Sequence, residues 1–271
     1  MRGLQAEALY WRAQALPTMV VEITATQGSV PREAGTRMLV AADRVHGTLG
    51  GGHLELQAIA HARGLLSQGQ GAREQHIALG PSLGQCCGGA LDLRYTPLAD
   101  TDPATWQPPT PRFALQLYGA GHVGRAVVRL LAEVPCRVWW VDERESEFPV
   151  DPLPSHIEAL CVEPVQAEVA HAPPGAFFLV MTHSHDLDLA ITEAVLRRAD
   201  FAWFGLIGSR TKRARFEHRL LERGLLAQDV ARMVCPVGLP GIAGKEPAII
   251  ALAAVAQILQ AAAPGKDPEK A

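Results

Sequence analysis

Long apolar runs are absent from this 271-residue chain, so no segment supplies the roughly 20 consecutive apolar residues that a membrane-spanning helix needs. The opening residues, Met1 to Glu7, lack both the apolar core and the small-residue cleavage site of a secretory signal. Cysteine is scarce: five thiols, an odd number scattered along a mid-sized chain, do not make a disulfide framework. No spaced Cys/His pair joins Cys86 and Cys87 to complete a four-ligand zinc site. Excess charge is missing too. A formal net charge of -3 gives no electrostatic reason to expect nucleic acid or an anionic membrane as partner. These absences together lead us to expect a cytoplasmic protein.

What is present is the composition of an ordinary globular chain, 48% hydrophobic and 20% charged, and long enough for two domains. Residues 97–111 hold five prolines and no hydrophobic periodicity, so they read as a linker. This places an N-terminal domain at 1–96 and a C-terminal domain at 112–271. The N-terminal part predicts a helix over 3–16, strands at 18–26, 37–42 and 45–49, a helix over 53–66, and strands at 74–79 and 90–95. That is a small mixed α+β domain. The C-terminal part alternates strands (113–118, 137–141, 176–181, 201–207) with helices (122–132, 186–198, 211–223, 246–259). Repeated β-α-β units imply an α/β fold with a Rossmann-like, doubly wound parallel sheet.

Adjacent thiols at Cys86 and Cys87 sit in the glycine-rich run 80–89. Successive side chains on a strand point to opposite sides, so both thiols do not suit one core face. Gly88 and Gly89 let backbone amides come close, and amides near sulfur favour the thiolate, the nucleophilic and metal-binding form. Two small buried hydrophobes are the alternative reading. Cys136, Cys161 and Cys235 stand apart and read as packing residues. In the same domain Gly28-Ser29-Val30-Pro31-Arg32 and Arg37 offer a rigid turn with two guanidinium groups. Gly50-Gly51-Gly52-His53-Leu54-Glu55 offers free amides at a helix start, an anion cradle; turn-forming and close packing are the alternatives.

Gly119-Ala120-Gly121-His122-Val123-Gly124 follows an apolar strand and opens an amphipathic helix, as a dinucleotide fingerprint does. Asp142 ends the next strand, where an acid would bond a ribose 2′-hydroxyl and repel a 2′-phosphate. The loop 181–188 brings His183, His185, Asp186 and Asp188 to a strand end, where they line a site; capping of the next helix by Ser184 or Asp186 is the alternative to metal binding. Gly205, Gly208, Ser209 and Arg210 repeat the pattern after the following strand and suit an anion. The apolar helix opened by Lys245-Glu246-Pro247 is expected to be buried, either within the subunit or in a homodimer.

These segments resemble the xanthine dehydrogenase accessory protein family, the XdhC/CoxI-type molybdenum cofactor maturation proteins. The resemblance is carried by residues 28–35, 47–55, 118–124, 204–213 and 238–247, and by Gln85-Cys86-Cys87-Gly88-Gly89. His53 in the glycine run looks like the XdhC branch. The resemblance implies a chaperone that binds the molybdenum cofactor, holds it while a persulfide-carrying cysteine desulfurase supplies sulfur, and delivers it to xanthine dehydrogenase. The cofactor-binding candidates read from the residues are Gln85, Cys86, Cys87, Gly88, Arg32, Gly51, Gly52, Glu55, Gly119, Gly121, Gly124, Asp142, His183, Ser209 and Arg210, with Cys86 and Cys87 as ligands to molybdenum. Two other classes stay open: an NAD(P)-dependent oxidoreductase using the Gly119–Gly124 fingerprint, and a metal-dependent hydrolase built on His183, His185 and Asp186.

Overall fold

The β-branched run after Pro17 becomes the central strand of a five-stranded antiparallel sheet in the computed structural model, which describes residues 3–79, 88–106 and 110–263. The chain divides into two units, Met1–Pro108 and Pro109–Ala271. In the first, β1 (Thr18–Gln27) lies between β2 (Arg37–Ala41) and β5 (Ala90–Pro97), with β3 (Val45–Gly47) and β4 (Arg73–Ala78) at the edges. Both faces of β1 are covered. Met19, Val21 and Ile23 meet Leu54, Ala58, Ala62 and Leu65 of α2 (Gly52–Ser67). Val20 packs with Leu39, Ala41 and Leu98 against Ala8 and Trp11 of α1 (Leu4–Ala13). That double burial explains a near-continuous apolar strand instead of a strict alternation. Helix α1 stops short of residue 16 because Ala15 turns left-handed, at φ 50°, two residues before Pro17.

Antiparallel pairing has a consequence for the loops. Strands β1, β3 and β4 run the same way, so residues 28–36, 48–51 and the segment after Ala78 all leave the sheet at one edge. Leu79 donates its amide to the Gly89 carbonyl at 2.8 Å, which fixes the two ends of the segment between β4 and β5 at that edge.

The second unit is a six-stranded, all-parallel sheet, ordered β11-β10-β9-β6-β7-β8. Its strands are β6 (Ala114–Tyr118), β7 (Arg137–Asp142), β8 (Ile157–Cys161), β9 (Phe177–Val180), β10 (Trp203–Leu206) and β11 (Met233–Val234). One face is covered by α3 (His122–Leu131) and α7 (Pro247–Ala261). The other is covered by α4 (His185–Arg198), α5 (Arg210–Glu222) and the short α6 (Ala227–Ala231). The chain lays β7 and β8 on one side of β6 and then crosses to place β9 on the other, so the topological switch falls between β6 and β9. Ligands of doubly wound folds bind at that point, beyond the carboxyl ends of the strands.

Two expectations change here. Strand β8 has no counterpart in the sequence reading; it is a half-exposed edge strand without regular alternation, so its period was not legible. Helix α7, for which a partner surface was an option, buries Ala251, Ala254, Val255 and Ile258 against α3 and the sheet of its own unit. Among the described residues no helix is long and apolar enough to cross a membrane.

Phe178 on β9 is fully buried, whereas Leu226 is 60% exposed. Phe178→Ala is therefore expected to cost about 3–5 kcal/mol in urea unfolding, and Leu226→Ala less than about 0.5 kcal/mol.

Candidate functional site

At the loop edge of the first unit, three glycine-bearing segments touch. A Cβ on Gly28 would meet the Gly89 Cα at 3.2 Å, and one on Gly89 would run into the carbonyls of Ser29 and Gln27. A Cβ on Gly50 would lie 2.5 Å from the Pro31 Cβ. Only glycine permits these contacts, so Gly28, Gly50 and Gly89 hold the three loops against one another. Gln85, Cys86 and Cys87 lie outside the described residues; Gly88, next to them, is exposed at this edge.

Two of the amides expected to be free for an anion, those of Gly50 and Gly51, are in use. Glu55 Oε2 accepts from the amides of Leu49 at 2.8 Å and Gly51 at 3.1 Å and from the Thr48 hydroxyl, while Gly50 donates to Thr48 Oγ1 at 3.0 Å. Burial pushes the Glu55 pKa up, but these donors and the nearby Arg32 charge outweigh it, and the net is below the ordinary carboxylate value. Glu55 thus braces the turn that was expected to cradle an anion. Arg37 is likewise engaged, paired with Glu22 across β1 and β2 and stacked over Trp106. Arg32 is exposed and makes no hydrogen bond or ion pair among the described residues. Among the described residues of this edge it is a guanidinium open to a ligand.

In the second unit the fingerprint glycines divide by role. Gly119, at φ 114°, would drive a Cβ into the Met181 carbonyl, and a Cβ on Gly124 would strike the Gly119 carbonyl. Their absence of side chain serves the packing of strand, loop and helix. Gly121 differs: it opens α3 without a side-chain cap, and a Cβ there would meet nothing within 4 Å. Open space over a helix N-terminus at the switch point fits the diphosphate of a dinucleotide.

Asp142 is 4% exposed. Its Oδ1 accepts from the Arg144 amide at 3.0 Å and Nε at 2.9 Å, and its Oδ2 from the Ala120 amide at 2.7 Å and Arg144 Nη2 at 2.9 Å. Burial raises the Asp142 pKa, yet the Arg144 guanidinium and the two amides more than offset it and hold the carboxyl below its ordinary value. All four bonds run to partners inside the protein, at the position where the sequence places an acid for a ribose hydroxyl.

A shallow, open depression at this edge is lined by Val141, Asp142, Glu143, Val165, Thr182, His183 and Leu187. His183 Nε2 lies 3.6 Å from Glu143 Oε1 on its rim. Ser184 caps α4 by accepting from the Leu187 amide, so the capping alternative describes this loop. Among the described residues no group of three or more His, Cys, Asp or Glu side chains is placed to hold a metal ion. Ser209 likewise caps α5 through the Lys212 amide, and Arg210 is exposed beside it. Cys136 and Cys235 are buried, and burial pushes the Cys136 thiol up to about 11. Cys161, expected as a packing residue, is exposed at the end of the edge strand β8.

Lys212 escaped the sequence reading. Its ammonium bonds Asp188 Oδ2 at 2.5 Å and the Ile207 carbonyl at 2.8 Å, with side-chain exposures of 10% for Lys212 and 1% for Asp188. Asp188 Oδ1 in turn accepts from the Thr182 amide and hydroxyl. This chain of bonds ties the loop after β9 to the loop after β10. Gly208 leaves room for it, since a Cβ there would sit 2.6 Å from Lys212 Cδ. The one sequence signal was the Gly-Ser-Arg-Thr-Lys spacing at the start of α5.

Fold and loops together define a doubly wound α/β unit preceded by an antiparallel α+β unit with a glycine-rich loop edge. The XdhC Rossmann domain matches residues 115–258, and the XdhC and CoxI family matches residues 11–76. The chain belongs to the XdhC family. The uncharacterized protein YqeB of Escherichia coli (strain K12) is 31% identical over 267 residues, which is 94% of this chain and 45% of that protein. The chain therefore spans about half the length of this curated relative. A crystal structure of a xanthine dehydrogenase from Bacillus halodurans superposes over 95% of each chain, with a TM-score of 0.69 at 20% identity, a likeness of fold.

Lys212→Met leaves the buried Asp188 carboxylate unpaired and is expected to cost about 3–5 kcal/mol in denaturant unfolding. The double variant Asp188→Asn/Lys212→Met should recover much of that loss, because no buried charge is then left over. Asp142 carries a pH signature. Its folded pKa lies below the ordinary 3.8, so its contribution is complete above that value and is lost as pH falls through the lowered one. Asp142→Asn should cost about 1.5–3 kcal/mol near neutral pH, and the penalty should shrink toward about pH 2 when unfolding is measured across the acid range.

Proposed function

We propose that this chain acts in the maturation of xanthine dehydrogenase by binding the molybdenum cofactor, holding it for sulfuration and delivering it to the enzyme. The observation that carries the reading is the convergence of the Gly28–Arg32 turn, the Thr48–Gly52 turn and Gly88–Gly89 at one edge of the N-terminal sheet, in a chain of the XdhC family. The cargo is an anionic phosphorylated pterin bearing a soft, sulfur-liganded metal, and the residues at this edge suit it. Arg32 supplies an exposed guanidinium for the phosphate. Cys86 and Cys87 supply thiolates for the metal, a soft ligand for a soft centre, and the Gly88 and Gly89 amides favour the ionised sulfur. Gln85 adds an amide within the same segment. In this reading Glu55 acts indirectly, by keeping the Thr48–Gly52 turn against Pro31 and Arg32. A cysteine desulfurase supplies the sulfur.

Protein purified from a host that makes the cofactor should contain molybdenum and show pterin fluorescence. The Cys86→Ala/Cys87→Ala double variant should fall to background molybdenum while unfolding at the wild-type denaturant concentration. Cys136→Ala should keep the cofactor and lose about 1 kcal/mol of stability. Wild-type retention and sulfuration by the double variant would make the two thiols bystanders.

A further inference from the structure

The acid that ends the second strand of a dinucleotide fold sets ribose selectivity in two ways: its oxygens accept the ribose hydroxyls, and its charge repels a 2′-phosphate. Neither is available here. A carboxylate has about four lone-pair sites. Asp142 uses them on the amides of Ala120 and Arg144 and on Nε and Nη2 of Arg144. No acceptor remains for a 2′-hydroxyl, and the charge is balanced by a guanidinium in direct contact.

Arg144 has the opposite inventory. Of its five N–H groups, two are on Asp142 and one reaches Glu147 Oε1 at 3.5 Å. The other two make no hydrogen bond among the described residues, and the side chain is 32% exposed. Glu147 is itself paired with Arg125 at 2.9 Å, and Glu143 lies beside His183 on the rim of the depression. At the end of β7, then, Arg144 offers donors where Asp142 has no acceptor left, with the Glu143 carboxylate close by. Val141, Val165 and Leu187 line the apolar part of the depression beside Asp142, and Gly121 opens α3 with free space above it for a diphosphate.

We propose that the crevice of the C-terminal unit binds an adenine dinucleotide carrying a 2′-phosphate in preference to the 2′-hydroxyl form, with Arg144 receiving that phosphate and Asp142 positioning Arg144. This concerns a different unit from the thiol segment and stands or falls separately from the cofactor-carrier reading.

The test is equilibrium binding to the full chain, followed by the fluorescence of the reduced nicotinamide or by calorimetry, with NADPH and NADH as probes. NADPH should bind about tenfold or more tightly than NADH, the scale of a charge-assisted phosphate contact. Arg144→Ala should remove most of that preference and, by freeing Asp142, narrow or reverse it. Arg144→Lys should keep part of it, which separates a lost charge from a disturbed loop. Arg137→Ala, which removes a half-buried arginine at the opposite end of β7, should leave the ratio unchanged. Equal or tighter binding of NADH by the wild-type chain, or no binding of either dinucleotide, would overturn the proposal.

Discussion

Backbone N–H groups at the end of a strand lose their ladder partners, and buried donors must find others. In this chain the loops that leave the sheets meet that constraint with carboxylates. Glu55 takes the amides of Leu49 and Gly51, Asp142 those of Ala120 and Arg144, and Asp188 that of Thr182. A cation stands by each acid: Arg32 near Glu55, Arg144 on Asp142, Lys212 on Asp188. Hydrogen bonds to an ionised acceptor are roughly twice as strong as neutral ones. Each loop is thus shaped by the protein's own charges before any ligand arrives.

This arrangement exchanges the roles that the residue types advertise. Glu55, Asp142 and Asp188 turn inward and become braces, while arginines and bare backbone are among the groups left facing outward. Arg32 is exposed in the first unit, and Arg144 and the open Gly121 face outward in the second. Anionic ligands suit such a surface, and because the loops are already ordered, less conformational entropy is lost on binding. The lysine that joins the β9 and β10 loops is one of only four in the sequence, and it is placed where a flexible stem can run past Gly208 to a buried partner.

Much of the architecture was legible along the chain. The alternating β-α-β pattern, the glycine fingerprint between an apolar strand and an amphipathic helix, and the mixed α+β character of the N-terminal part all follow from local periodicity and turn chemistry. Strand β8 was not, because an edge strand with exposed side chains carries no strong period. Cys161 was misjudged with it. Of the candidate site, the glycine loops were found by their composition, but the state of Asp142, Glu55 and Arg37 was not. Each was read as a free group, whereas each is satisfied within the fold.

The amino-acid sequence by itself determined most of the strands and helices and the glycine turns between them, since those depend on neighbours a few residues away. It did not determine the edge strands β8 and β11 or the short α6. Only the tertiary structure decided which of the polar groups in those turns remain available. Asp142 reaches Ala120 across 22 residues and Lys212 reaches Asp188 across 24, contacts that exist because a parallel sheet gathers all its strand ends at one edge. A side chain's partners are set by that gathering. No pattern of spacing along the chain encodes the distances and angles on which a hydrogen bond depends.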